Sequence, residues 1–221
     1  MSELESVGHN YSTEIVRKGI HLFSLSIPVL YYFLPKSVAL SILIPLTLAF
    51  LLADIARLFS PPIGLLYERL FGWLLRPHEQ NRRGRQLNGA SYMLLSAVLC
   101  VWLFPKVIVI TAFAILIISD SAAALVGLRF GRRPFLAKTL EGTGAFLATA
   151  LLVVAVAPKI AFLPTEYLIG AAGATIGTLV EAGALGIDDN LSIPVSIGAA
   201  MWILYALFLP TLDLYTLDRL L

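Results

Sequence analysis

Residues Ile117–Ala145, IISDSAAALVGLRFGRRPFLAKTLEGTGA, combine features that a soluble domain and a plain membrane anchor both avoid. The apolar run from Val107 to Leu128 is long enough to cross a bilayer, yet it carries Asp120 well inside it. An aspartate in mid-membrane costs roughly 2.5–3.5 kcal/mol on insertion scales, so the carboxylate needs a partner or a task. On a helix, Asp120, Ala123, Ala124, Gly127 and Gly131 share one strip. The expectation is that their missing side chains leave room for a ligand beside the acid. Arg129, Arg132, Arg133 and Lys138 follow at the mouth, and Lys138-Thr139-Leu140-Glu141-Gly142 closes the stretch.

Working outward, the whole chain is apolar: 58% of its 221 residues are hydrophobic and 14% charged, with a mean hydropathy of +0.86. These values exclude an ordinary soluble domain and predict an all-α integral membrane protein. Seven spans are expected, at 20–34, 37–53, 89–104, 107–128, 144–158, 166–185 and 192–209. The first apolar run ends in Tyr31-Tyr32-Phe33-Leu34-Pro35, without a small-residue cleavage site, and reads as a retained span. The single cysteine, Cys100, lies in an apolar run and is expected to be a buried, inert thiol.

Seven spans sort the 16 basic residues unevenly. Lys36, Lys106, Lys159 and Arg219 fall on one side, and the other twelve fall opposite. The positive-inside rule then places the N-terminus in the cytoplasm, with cytoplasmic loops at 54–88 and 129–143 and the C-terminus outside. The chain reads as one transmembrane domain, residues 1–221, without internal repeats. Pro61 to Arg76 has an apolar and a charged face and reads as an amphipathic helix lying on the inner leaflet. Asp54 and Arg57, three apart at the end of span two, are expected to neutralise each other. The loop PHEQNRRGRQLNG from Pro77 to Gly89 adds Arg82, Arg83 and Arg85, and Glu79 with Asn88 to Tyr92 suggests a site wall.

The unusual groups gather on the same side. Glu14, Arg17, Lys18 and His21 stack on the helix that enters span one. Glu181 ends span six among apolar residues, and Asp188, Asp189 and Asn190 follow. If that helix persists to Asp188, Glu181 and Asp188 share a face. The glycines at 170, 173 and 177 have the spacing of close helix packing. A site that pairs several acids with a basic cluster suits a ligand of both signs, and a nucleoside triphosphate with magnesium fits. Gly131 to Thr139 is not a Walker A loop, and no dinucleotide-binding fingerprint occurs.

Four blocks carry a family resemblance. They are Glu14-x-x-Arg17-Lys18-x-x-His21, Asp120-x-Ala122-Ala123-x-x-x-Gly127-x-x-x-Gly131, Lys138-Thr139-x-Glu141-Gly142, and Glu181 with Asp188-Asp189-Asn190-x-x-x-Pro194. In this order they resemble the CTP-dependent lipid kinases, which include dolichol, phytol and CTP-using diacylglycerol kinases. The resemblance implies phosphoryl transfer from CTP, with Mg2+, to the hydroxyl of a membrane lipid alcohol. Acceptors of that class are a polyprenol or dolichol, phytol or a similar isoprenoid, or diacylglycerol.

On this reading Arg132, Arg133 and Lys138 bind the triphosphate, and Gly127, Gly131, Thr139, Glu141, Asn190, Arg17 and Lys18 belong to the nucleotide site. Asp120, Glu181, Asp188 and Asp189 are candidate metal ligands. The catalytic set is Asp120, Lys138, Glu181 and His21, with His21 or one of the acids accepting the alcohol proton. The expected partners are CTP, the lipid alcohol and the bilayer, with no nucleic acid. The oligomeric state stays open. A cytidylyltransferase that makes a CDP-lipid from phosphatidate is the alternative, kept alive by Arg82, Arg83 and Arg85. A transporter fits less well, because the charges collect at one interface rather than at the bilayer midplane.

Overall fold

The computed structural model describes residues 14–72, 86–183 and 186–219, which are mostly helical. Residues 14–23 form α1, followed by α2 (Ser26–Phe33), α3 (Lys36–Phe59), α4 (Pro61–Phe71), α5 (Gly89–Leu103) and α6 (Lys106–Phe130). A two-stranded antiparallel hairpin comes next, β1 (Pro134–Phe135) with β2 (Lys138–Thr139), pairing Pro134 with Thr139 and Phe135 with Lys138. Then come α7 (Leu140–Val156), α8 (Pro164–Gly183), α9 (Asp189–Phe208) and the short α10 (Thr216–Arg219). The hairpin departs from the all-α expectation. Strands of two residues show no periodicity in a sequence.

Prolines set many of the boundaries. Pro35 and Pro105 sit just before α3 and α6, and Pro61 and Pro164 open α4 and α8, where a missing N–H leaves no helical bond unmade. Pro28 acts differently. It has no N–H to give the carbonyl of Ser24, which accepts instead from Ile27, three residues on, at 2.9 Å. The chain tightens there, and the first expected span divides into α1 and α2.

Three helices, α3, α6 and α9, of 24, 25 and 20 residues, are long and apolar enough to cross a membrane. The shorter apolar helices α5 and α7 cover two further expected spans. Of the seven expected spans, the described residues show three helices of spanning length and two shorter apolar ones. The stretch expected as span six does form a helix, α8, but Gly, Thr and two Glu residues dilute its hydropathy.

Helix α6 is the axis of the bundle. It is apolar on all sides and buried from Lys106 through Phe113, with α2, α7 and α9 packed around it. Helix α8 lies against α7 and α9, and α3 pairs with α5. The glycine spacing in α8 is structural, as expected. A Cβ on Gly170 would come within 2.6 Å of Val154, and one on Gly177 within 2.6 Å of Ile197. Cys100 is buried and free. Large apolar side chains on α2, α3, α7 and α9, such as Leu52, Val156 and Leu207, face outward.

Lysines close helix ends at one end of the bundle. Lys36 donates to the carbonyl of Trp102 at 3.0 Å, Lys106 to Leu34 at 3.0 Å, and Lys159 to Val154 and Ala157 at 2.7 and 2.8 Å. Each satisfies carbonyls that α5, α2 or α7 leaves open where it finishes. Burial lowers the pKa of Lys159, and Glu166 works against that shift.

At the far end of α3, Asp54 is fully buried. Its carboxylate accepts from Arg57 Nε at 2.8 Å, from the Asn88 N–H at 2.6 Å and from Ser91 Oγ at 3.0 Å. The expected Asp54–Arg57 pair thus also fixes the start of α5, where Asn88 caps the helix and donates to Tyr67 of α4 at 2.9 Å. Asn88 and Ser91, expected at a site wall, are both bonded into this knot. The segment with Glu79, Arg82, Arg83 and Arg85 lies outside the described residues, as does the end of the expected Pro61–Arg76 helix. Asp54→Ala removes the buried carboxylate that Arg57, Asn88 and Ser91 share and is expected to destabilise the protein by about 3–5 kcal/mol. Thermal unfolding in detergent checks this, with the double variant Asp54→Leu/Arg57→Met expected to recover much of the loss.

Candidate active site

Asp120 lies on the buried part of α6, and α1 supplies its partners. Lys18, only 3% exposed, forms an ion pair with Asp120 Oδ2, and His21 Nε2 stands 3.6 Å from the same oxygen. Lys18 and His21 are three apart, so one face of α1 delivers both. Arg17 does not join them. Its guanidinium pairs with Glu14 at 2.6 Å. Lys18, expected at the nucleotide, serves here as the counter-ion of the buried acid.

A second set closes over the first. Lys138, on β2 beside the hairpin tip, holds Nζ 3.3 Å from both Glu181 Oε1 and Asp189 Oδ2. One cation thus bridges the end of α8 and the start of α9, and the Ala137 N–H reinforces the link by donating to the Ala182 carbonyl at 3.0 Å. Burial alone would lower the Lys138 pKa, but Asp189, Glu181 and Asp120 together hold it above the ordinary lysine value. Asp120 thus lies within electrostatic reach of Lys138. Lys138 stays cationic throughout the neutral range.

The chain between α6 and α7 is shaped to present this lysine. Leu136, at φ 50°, occupies the left-handed region at the hairpin tip, a conformation costing about 1–3 kcal/mol for a side chain of its size. The Thr139 hydroxyl caps α7 by accepting from the Gly142 N–H at 3.2 Å. Glu141 Oε2 accepts the N–H groups of Arg132 and Arg133 at 3.0 and 3.3 Å. The Arg132 N–H contributes most to lowering the Glu141 pKa. Glu141 therefore pins the loop, while the guanidinium groups of Arg132 and Arg133 stay exposed and form no ion pair among the described residues.

The glycine strip is filled by protein. A Cβ on Gly127 would stand 3.1 Å from Thr139 Oγ1, and one on Gly131 would stand 2.7 Å from Thr139 Cγ2. One on Gly142 would meet the Ala123 carbonyl at 3.0 Å. The room expected for a ligand is taken by the start of α7, which these glycines allow to lie against α6. The helix of Glu181 does not persist to Asp188. Helix α8 ends at Gly183, and Gly186, at φ 78°, turns the chain before α9 begins. Asp188 caps α9, accepting from the Asn190 N–H at 3.0 Å and from its side-chain amide at 2.8 Å. Asp189, the next residue, is the one that reaches Lys138.

Among the described residues, no three His, Cys, Asp or Glu side chains converge on one point. A magnesium nucleotide brings its own phosphate and water ligands and asks for one or two protein carboxylates. Glu181 and Asp189 meet that requirement, and Glu181 Oε2 is buried without a hydrogen-bond partner.

The chain is 33% identical over 189 residues to an uncharacterised protein of Rickettsia prowazekii, covering 85% of this chain and 92% of that protein. It is also 30% identical over 160 residues to the CTP-dependent diacylglycerol kinase 1 of Schizosaccharomyces pombe, covering 64% of this chain and 70% of that protein. No family model and no solved structure matches. On the second likeness the chain belongs to the CTP-dependent diacylglycerol kinase family. With its three spanning-length helices it is a membrane protein.

Two glycines, two residues apart, separate packing from composition. Gly142→Ala is expected to force α6 and α7 apart and cost about 1–3 kcal/mol. Gly144→Ala, where a Cβ meets nothing within 4 Å, is expected to be neutral or stabilising. Paired melting curves in one detergent check the contrast.

Proposed function

We propose that this protein transfers the terminal phosphoryl group of CTP to the hydroxyl of a membrane lipid alcohol, at the cytoplasmic face of a multi-pass domain. The observation that carries the reading is the cation pattern around one buried acid. Lys138 is held between Glu181 and Asp189 within electrostatic reach of Asp120, while Arg132 and Arg133 are exposed and form no ion pair among the described residues. Such an arrangement suits a polyanion arriving from water to meet a group in the bilayer.

In the proposed step the alcohol oxygen bonds to the terminal phosphorus, the bond from that phosphorus to its bridging oxygen breaks, and CDP leaves. Arg132, Arg133 and Lys138 hold the phosphates and offset charge on the moving group. The alcohol proton passes to the paired Asp120 and His21. Magnesium, held by Glu181 and Asp189, would neutralise phosphate charge. CTP as donor is supported by the diacylglycerol kinase relative. The acceptor is a polyprenol or other isoprenoid alcohol, or diacylglycerol.

Purified protein in detergent, given gamma-labelled CTP or ATP, magnesium and a panel of these alcohols, is expected to transfer label from CTP to lipid and to release CDP. Asp120→Asn and Lys138→Ala are expected to lower kcat/KM by about 100-fold or more, as lost electrostatic stabilisation does. Pyrophosphate release with phosphatidate, and no labelled lipid from any alcohol, would instead identify a cytidylyltransferase.

A further inference from the structure

A groove of about 330 Å3 runs between α2, α6 and the outer end of α7. Leu25, Val29 and Tyr32 line one wall, Ala114 and Ile118 the floor, and Val156 the far end. No charged side chain lines it among the described residues. An apolar recess on a membrane protein is not a site by itself, since bilayer lipid covers every such face. Its register with Asp120 sets this one apart.

Helices α1 and α2 run antiparallel to α6. His21 lies beside Asp120 at one end of the seam, and the Leu34 carbonyl meets Lys106 at the other. The groove occupies the middle of this seam and begins at Leu25, about one helical turn from His21. Helix α6 marks the path as well. From Lys106 to Ala123 every residue is buried except Ala114, Ile118 and Ala122, which are four apart and form one line along the helix. That line leads from the groove floor to the level of Asp120. Two of its three residues are alanines, which keep it shallow enough to admit a chain.

The geometry points to this groove as the seat of one hydrocarbon chain of the acceptor alcohol, lying along α6 with its hydroxyl at Asp120. The inference rests on the kinase reading and adds where the acceptor lies. The volume holds roughly ten methylene-sized groups, taking about 30 Å3 for each as for a water molecule. The segment nearest the hydroxyl is therefore the part recognised, and the remainder of a longer chain lies in the bilayer.

The test uses Ala114→Trp, which blocks the floor, and Val156→Trp, which shortens the far end at a position already 84% exposed and so tolerant of bulk. Each is assayed with two acceptor pairs whose short members underfill the groove, geranylgeraniol with prenol and dioleoylglycerol with dibutyrylglycerol. The ratio of long-chain to short-chain kcat/KM is expected to fall about tenfold through KM, as methylene contacts are lost. A ratio equal to wild type in both variants overturns the inference. A diazirine-bearing long-chain alcohol, photolysed with the wild-type protein, provides a readout independent of turnover. Label concentrated on residues 25–33 and 110–122, and displaced by unlabelled alcohol, supports the groove, whereas label spread over all outward-facing helices overturns it. Concentrated label without lipid phosphorylation from any nucleotide would retain the groove and remove the kinase reading alone.

Discussion

The ion pair between Lys18 and Asp120 is the interaction on which the rest of the structure depends. Helix α6 is apolar on every side and lies at the centre of the bundle, so an aspartate on it is largely buried from water. A buried carboxylate without a partner is strongly unfavourable, and removing one member of such a pair typically costs about 3–5 kcal/mol. Lys18 meets that demand from 102 residues away, and His21 comes with it on the same helical face. Docking of α1 sets the register of α2 along α6, and that register positions the groove between them.

The second constraint is the turn between α6 and α7. Gly127, Gly131 and Gly142 let the two helices approach until Thr139 nests against the strip. Glu141 binds the loop N–H groups, and the hairpin then delivers Lys138 to Glu181 and Asp189. The elements of the site are thus held by contacts remote from any substrate, through glycine packing, a helix cap and a pinned loop. Arg132 and Arg133, which form no ion pair among the described residues, are exposed on the loop that Glu141 pins. Preorganised charge of this kind suits phosphoryl transfer, which relies on positioning and electrostatic stabilisation.

Much of this was legible because membrane chemistry penalises anomalies. Asp120 and Glu181 declared themselves as acids in apolar runs, prolines marked helix starts, and the glycines of α8 carried the spacing of close packing. What could not be read was partnership. The sequence spacing of Asp120, Gly127 and Gly131 shows where side chains are missing but not what fills the space, and Thr139 fills it. Asp188 and Asp189 are adjacent and chemically alike. The positive φ of Gly186 and the start of α9 decide that one caps a helix while the other meets Lys138. Lys18 was expected at the nucleotide, and only the docking of α1 makes it a counter-ion of Asp120. The Asp54–Arg57 pair was visible locally, whereas its bonds to Asn88 and Ser91 depend on the return of α5.

A double-mutant cycle on Lys18 and Asp120 tests this account most directly. Lys18→Met, Asp120→Asn and the double variant are compared with the unaltered protein by unfolding in a single detergent. The account predicts that each single change destabilises and that the double variant recovers part of the loss, with a coupling of about 1–3 kcal/mol. Strictly additive losses would mean that the two groups do not meet, and would contradict the assembly of the site around Asp120.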